Sequence, residues 1–392
     1  MKIIIAIDSF KGSLTSLEAG QTVQEGIHQL FPECETEIIG IADGGEGMLS
    51  VMQNVLGGTT HTIRAHHPLM EIIETSYGIS TDGTTAFIEM ATISGLPLID
   101  KEQRNPMKTT TYGTGELIKD ALEKGCTRFI IGIGGSATND AGTGMLQALG
   151  FRFLDSNDNL LGQGGEILER IARVNTQKAH PSLKSAHFIV ACDVQNPFYG
   201  PKGAAYIYAR QKGADEQMIV ALDNGLRSFA QVIQETTGKD IAHIPGSGAA
   251  GGMGGGMVAF LDAELKSGAD LLLEVCRFEE KITDADLIIT GEGRIDHQSL
   301  MGKIPGKILK AGLRKDIPVI AIAGCVEDKE LLKKAGFKGL YATKPDFMSL
   351  EEAMKPSSAK LNIKNAFSLK AMMTITSPVE AVRITIVRIS PS

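Results

Sequence analysis

Short loops rich in glycine and carboxylates follow runs of apolar, strand-forming residues, and this pairing constrains the fold more than any other feature of the chain. In an open parallel sheet the C-terminal ends of the strands converge on the ligand crevice, so such loops call for an α/β architecture. The first apolar run, 2–8 (KIIIAID), is continuous, as expected of a parallel strand covered on both faces. Thr15 and Glu18 then make a capping-box pattern that opens a helix to about residue 30. A second strand is predicted over 37–42 and a second helix over 47–56. After Gly57-Gly58 the runs 61–65, 71–80 and 84–90 read as successive strands divided by turn residues, which points to antiparallel or mixed sheet.

Helices are predicted at 114–124 and 137–149, with strands at 128–132, 151–155 and 187–192. A glycine-rich region, 197–256, holds a helix over 216–236. Alternation returns with strands at 286–290, 319–324 and 339–342 and helices at 305–313, 329–335 and 350–354. The expected fold class is α/β in two domains. A discontinuous flavodoxin- or Rossmann-like parallel-sheet domain spans 1–58 and 285–392, and an inserted α/β domain with a mixed sheet spans 59–284. A cleft between two domains is a common place for a small-molecule site. The tail beyond Lys355-Pro356 does not read as an amphipathic closing helix; Pro378 interrupts 374–392, and the last run there, rich in Ile, Val and Thr, reads as β-prone.

Composition narrows the function. The 39 basic and 46 acidic residues leave a net charge of −7, and no Lys/Arg block supplies the basic face of a nucleic-acid binder. The apolar run at the N-terminus is too short for a signal peptide, and no stretch approaches a membrane span. Cys34, Cys126, Cys192, Cys276 and Cys325 are scattered, which suits reduced thiols in cytoplasm better than disulfides or a zinc site. The 45 glycines exceed the ~7% of average usage and cluster in loops, where they let backbone approach a ligand.

The first loop, Asp8-Ser9-Phe10-Lys11-Gly12-Ser13, places a cation ahead of a helix N-terminus, which favours phosphate or carboxylate; the bland alternative is a capped turn with a solvated lysine. The second, Asp43-Gly44-Gly45-Glu46-Gly47, offers carboxylates for Mg²⁺ or for substrate hydroxyls, or is an ordinary turn. The third runs from Gly132 to Gly144. Its Gly132-x-Gly134-x-x-Ala137 fits a dinucleotide fingerprint, with Asp155 as the expected ribose acid, and so supports an NAD(P)-dependent oxidoreductase as a rival. Its Ser136, Thr138, Asn139, Asp140 and Thr143 go beyond that fingerprint, while its glycines would also serve close helix–strand packing. The fourth, 290–296, carries Glu292 and Asp296 as candidate metal or base carboxylates, with Lys303 as a phosphate contact. Neither Gly-Lys pair after it has the Ser/Thr of a P-loop. The stretch 246–256 (GSGAAGGMGGG) reads as a phosphate loop or a flexible hinge, and Cys192-Asp193 follows a strand. The histidines form no HExxH or Cys/His cluster, and no G-x-S-x-G elbow is present.

In this order, the stretches 7–16, 42–47, 132–150, 192–205, 248–256, 290–308 and 342–354 resemble the bacterial glycerate kinase family of the first type. The resemblance covers about 1–356. It implies phosphorylation of D-glycerate by ATP with Mg²⁺, a product that is usually 2-phosphoglycerate, and two α/β domains. Phe347, where such chains tend to have glycine, and the tail depart from the pattern. On this resemblance Asp193 is the expected base, with Lys11 and Asp296 as its catalytic partners. Asp8, Ser9, Asp43, Glu46 and Arg64 are the expected substrate contacts. Gly134, Gly135, Ser136, Thr138, Asn139, Asp140, Gly251, Gly252, Gly254 and Lys303 are expected to carry ATP, and Asp43, Glu292 and Asp296 the metal. A kinase for another hydroxy acid and a non-catalytic hinged binding protein remain open. A homodimer is compatible with the sequence, and neither nucleic acid nor membrane is an expected partner.

Overall fold

The computed structural model describes residues 1–41, 52, 55 and 57–366. The loop with Asp43 and Glu46, nearly all of the predicted helix 47–56, and the tail from 367 lie outside the described residues. The strands are β1 (Lys2–Ile7), β2 (Glu35–Ile38), β3 (Thr59–His66), β4 (Ile72–Ile79), β5 (Thr85–Glu89), β6 (Arg128–Gly132), β7 (Arg152–Leu154), β8 (Arg173–Asn175), β9 (His187–Ala191), β10 (Glu264–Lys266), β11 (Leu287–Ile295), β12 (Val319–Val326) and β13 (Gly339–Ala342). The helices used below are α1 (Ser16–Leu30), α2 (Tyr112–Glu123), α3 (Thr143–Ala148), α4 (Glu216–Thr237), α5 (Met253–Leu261), α6 (Gly268–Val275), α7 (Ile304–Arg314) and α8 (Pro356–Ala366). The chain divides into two compact units, Met1–Ile41 with Cys276–Ser392, and Ala42–Val275.

In the discontinuous unit, five strands form a parallel sheet in the order β13-β12-β11-β1-β2. Ile3, Ile5 and Ile7 of β1 are buried with Val23 and Ile27 of α1 and Ile289, Ile320 and Ile322 of the neighbouring strands. The α1 N-terminus closes as the sequence suggests: Glu18 N donates to Thr15 Oγ1 at 3.2 Å, and Thr15 N to Glu18 Oε2 at 3.0 Å. Two expectations fail here. The run 290–295 is not a loop but the second half of β11, with Arg294 and Ile295 paired to Cys325 and Val326. Gly291 makes this register feasible, because a Cβ there would stand 2.0 Å from the Ile322 carbonyl oxygen. The start of the tail is helical: α8 opens on Pro356, where a missing N–H costs nothing, and buries Ala359 and Ile363 in the core that includes α1.

The larger unit is built on a six-stranded mixed sheet, β10-β9-β6-β5-β4-β3. Its β10, β9, β6 and β5 are mutually parallel, and β5, β4 and β3 antiparallel, as the run of short strands predicts. A separate antiparallel pair joins β7 and β8. The helix predicted over 137–149 shrinks to α3. Ala141 and Gly142 both take left-handed backbone, with φ of 53° and 78°, and Ala141 N donates to Gly251 O. No helix passes through such a pair. This overturns the dinucleotide reading on geometry. The fingerprint needs a helix that opens on its glycines, and Asp155 lies not on a strand beside β6 but in a turn after β7, accepting from Asn157 N and Asn159 N.

Candidate active site

Within the larger unit, segments following β6 and β9 line a cavity of about 290 Å³. Gly134, Gly135 and Ser136 come from the first, and Cys192, Asp193 and Val194 from the second, with Tyr208, Lys212, Ala249 and Ala250 completing much of the wall. Gly135 holds a φ of 71°, and its carbonyl accepts from Leu96 N, a residue that also lines the cavity, so the turn is pinned by its own wall. A side chain at Gly134 would meet nothing within 4 Å, so bare backbone faces open space there. Asp193 is exposed at the wall, and its Oδ1 accepts from Gly268 N at the head of α6, 2.9 Å away. Asn196 lies behind this loop, accepting from Tyr208 Oη and donating to the Lys202 carbonyl.

Beneath the glycine turn runs a buried polar floor. Asp140 is 0% exposed, and its carboxylate accepts from Thr111 N, Thr111 Oγ1, Gly142 N and Gly144 N at 2.8–3.2 Å. Burial pushes its carboxyl above the usual range, while these four donors pull the other way. Asp140 therefore shapes the loop, and its oxygens are engaged inside the protein. Thr138 and Asn139 are equally buried; Thr138 Oγ1 and both amide atoms of Asn139 lack hydrogen-bond partners.

The stretch 246–256 is neither an open loop nor a hinge. A Cβ on Gly251 would stand 2.2 Å from the Thr138 carbonyl, one on Gly252 2.9 Å from Phe198, and one on Gly254 2.5 Å from the Gly246 carbonyl. These glycines let backbone cross backbone, while Ala249 and Ala250 face the cavity. Lys212 is the residue that sequence reading missed. It is 2% exposed, and its Nζ donates to Ser136 Oγ and to Thr138 O, both at 2.7 Å. Burial lowers its pKa to about 7, with Asp140 acting in the opposite sense. Nothing in the string ARQKG sets this lysine apart from a surface one.

Arg64 is exposed on the edge strand β3, opposite Glu74, and is not among the cavity-lining residues. Asp8, Ser9 and Lys11 belong to the discontinuous unit, at the C-terminal end of β1. Asp8 is 3% exposed, and its Oδ1 accepts from Ser9 N. Lys11 is exposed and makes no hydrogen bond or ion pair among the described residues. The N-terminus of α1, by contrast, already holds the Glu18 carboxylate, which leaves it unsuited to an anion. Glu292 accepts from Ser299 Oγ at 2.5 Å and lies 3.8 Å from Lys303 Nζ, just ahead of α7. Asp296 caps the turn His297–Leu300, accepting from Gln298 N, with Arg294 Nε 3.6 Å away. Among the described residues no group of three or more His, Cys, Asp or Glu is arranged to hold a metal ion. None of the described helices is long and apolar enough to cross a membrane.

The model of the glycerate kinase family matches residues 3–373. The chain belongs to that family. Among its relatives, a glycerate kinase from Halalkalibacterium halodurans is 46% identical over 92% of this chain and 95% of its own length. A glycerate 2-kinase from Escherichia coli K12 is 45% identical over 91% and 93%. A crystal structure from Salmonella typhimurium LT2, provisionally described as a glycerate kinase 2, superposes with a TM-score of 0.86 at 40% identity, covering 96% of this chain and 98% of that one. The family resemblance and the α/β class read from the sequence are both borne out.

Proposed function

We propose that this chain transfers a phosphoryl group from ATP to a hydroxyl of D-glycerate, giving 2-phosphoglycerate. The observation that carries the reading is the high-coverage identity to proteins named glycerate kinase, one of them a glycerate 2-kinase. The cavity beside Asp193 adds chemistry that suits it. Phosphoryl transfer rests on positioning and charge neutralisation, with a carboxylate to accept the hydroxyl proton. Asp193 is such a carboxylate, oriented by the α6 backbone and exposed at the wall. In the balanced step the glycerate oxygen bonds to the γ-phosphorus, the bond to ADP breaks, and the hydroxyl proton passes to Asp193.

The turn Gly134-Gly135-Ser136 offers bare backbone for phosphate or carboxylate oxygens, and the unpartnered Thr138 and Asn139 atoms are polar groups in reserve beneath it. Asp140, Gly251, Gly252 and Gly254 hold that turn in place without themselves touching the nucleotide. In the other unit, Asp8, Ser9 and Lys11 are proposed to recognise charged and hydroxyl groups, with Lys303 as a phosphate contact. Mg²⁺, when bound with the nucleotide, neutralises phosphate charge; such an ion keeps most of its waters and needs only one or two carboxylates. The described acids fit that demand, not a dedicated cage, and Glu292 is the proposed ligand among them. The test mixes protein, Mg-ATP and a panel of hydroxy acids. ADP released with D-glycerate and 2-phosphoglycerate found by NMR are expected. ADP released only with another acid would reassign the substrate.

A further inference from the structure

We propose that Lys212 is the cation of the cavity and binds an anionic oxygen of the ligand through the one ammonium hydrogen that the protein leaves unused. An ammonium has three donors, and Lys212 Nζ uses two, on Ser136 Oγ and Thr138 O. Among the described residues no carboxylate forms an ion pair with it, and it is 2% exposed, so the third donor meets no protein acceptor. A buried charge without a partner is unfavourable. Lys212 nevertheless lines the cavity together with the bare backbone of Gly134 and Gly135. A carboxylate or phosphate oxygen placed there completes the ammonium and meets the turn at once.

The groups around the lysine agree. Asp140 favours the charged form at a distance, but its oxygens are held by Thr111, Gly142 and Gly144. Asp193, Tyr208 and Cys192 share the cavity wall, and burial keeps the tyrosine and the thiol protonated. In the ligand-free protein the pKa of about 7 leaves Lys212 largely neutral at pH 8. An anion that pairs with it draws a proton onto Nζ. This inference rests on the kinase reading and deepens it by naming where the anion sits.

The experiment is calorimetric titration at pH 8 of wild type and Lys212→Met with D-glycerate alone and with Mg-ADP alone, in buffers of different ionisation enthalpy. Wild type is expected to take up a fraction of a proton on binding one of the two ligands. Lys212→Met is expected to lose at least tenfold affinity for that ligand and the proton uptake with it, while binding the other normally. Loss of glycerate binding assigns the carboxylate to Lys212, and loss of Mg-ADP binding assigns the phosphate. Unchanged affinity for both ligands in the variant would overturn the inference and leave the kinase reading intact. Equal loss of both, with no proton uptake by wild type, also overturns it, since a lysine that merely props the 136–138 turn behaves so. A wild type that binds neither ligand overturns the kinase reading as well.

Discussion

At the scale of single residues, Asp193 and Lys212 face the same cavity with opposite burial, and each makes a separate claim. Asp193→Asn keeps the size and the acceptor for Gly268 N but removes the proposed base. It is expected to lower kcat by roughly 10²–10⁴ with a much smaller change in the KM for glycerate, measured by ADP release. A normal kcat would place the base elsewhere. Lys212 adds a pH dependence of stability. Its folded pKa, about 7, lies below the ordinary 10.5, so between those values the unfolded chain binds the extra proton. Its contribution is therefore fully present above pH 10.5, declines as pH falls through that window, and is lost below about 7. In ligand-free protein, wild-type stability is expected to gain on that of Lys212→Met between pH 7 and 9, by at most ~1.4 kcal/mol per pH unit. Parallel urea midpoints across that range would refute the shift.

At the scale of elements, glycines that look alike in the sequence do different work. Gly251 has φ of 67° and faces the Thr138 carbonyl, so Gly251→Ala is expected to destabilise by at least about 2 kcal/mol. Gly134→Ala meets nothing, so its stability should stay within ~0.5 kcal/mol of wild type while ligand affinity falls. Thermal melts beside KM values separate the two, and a stable Gly251→Ala would mean that the 246–256 crossing yields easily. The same contrast explains what the sequence disclosed. The α1 capping box and the antiparallel trio β3-β4-β5 were legible because their signals lie within a few residues. The second half of β11 was not, since its pairing with Cys325 and Val326 is decided by a strand some thirty residues away. Asp140 read as a ligand contact because its burial comes from the Thr111 segment, and Lys212 passed unnoticed because only tertiary packing distinguishes it from a solvated lysine. Of the candidate site, the sequence named the turn 134–136, Asp193 and Asp140, while Lys212, which holds Ser136 and Thr138 from below, carried no sequence signal.

For the whole molecule, the proposed mechanism makes divalent metal a requirement of turnover rather than of the fold. Excess chelator is expected to abolish turnover and added Mg²⁺ to restore it, with the melting point of the nucleotide-free protein unmoved. Full activity in chelator would remove metal from the mechanism. The order of strands in the discontinuous sheet also sets a timetable. Strand β1 lies between β2 and β11, yet about 280 residues separate it from the latter. At ~5–20 residues per second, an N-terminal run of three consecutive isoleucines waits roughly 14–56 s on the ribosome before its partner is made. During that interval the larger unit is synthesised in full, while the β1 edge that will meet β11 has only β2, on its other side, as a possible strand partner. A slower passage through residues 8–286 therefore lengthens the exposure of a strand whose Ile3, Ile4 and Ile5 are fully buried in the finished protein.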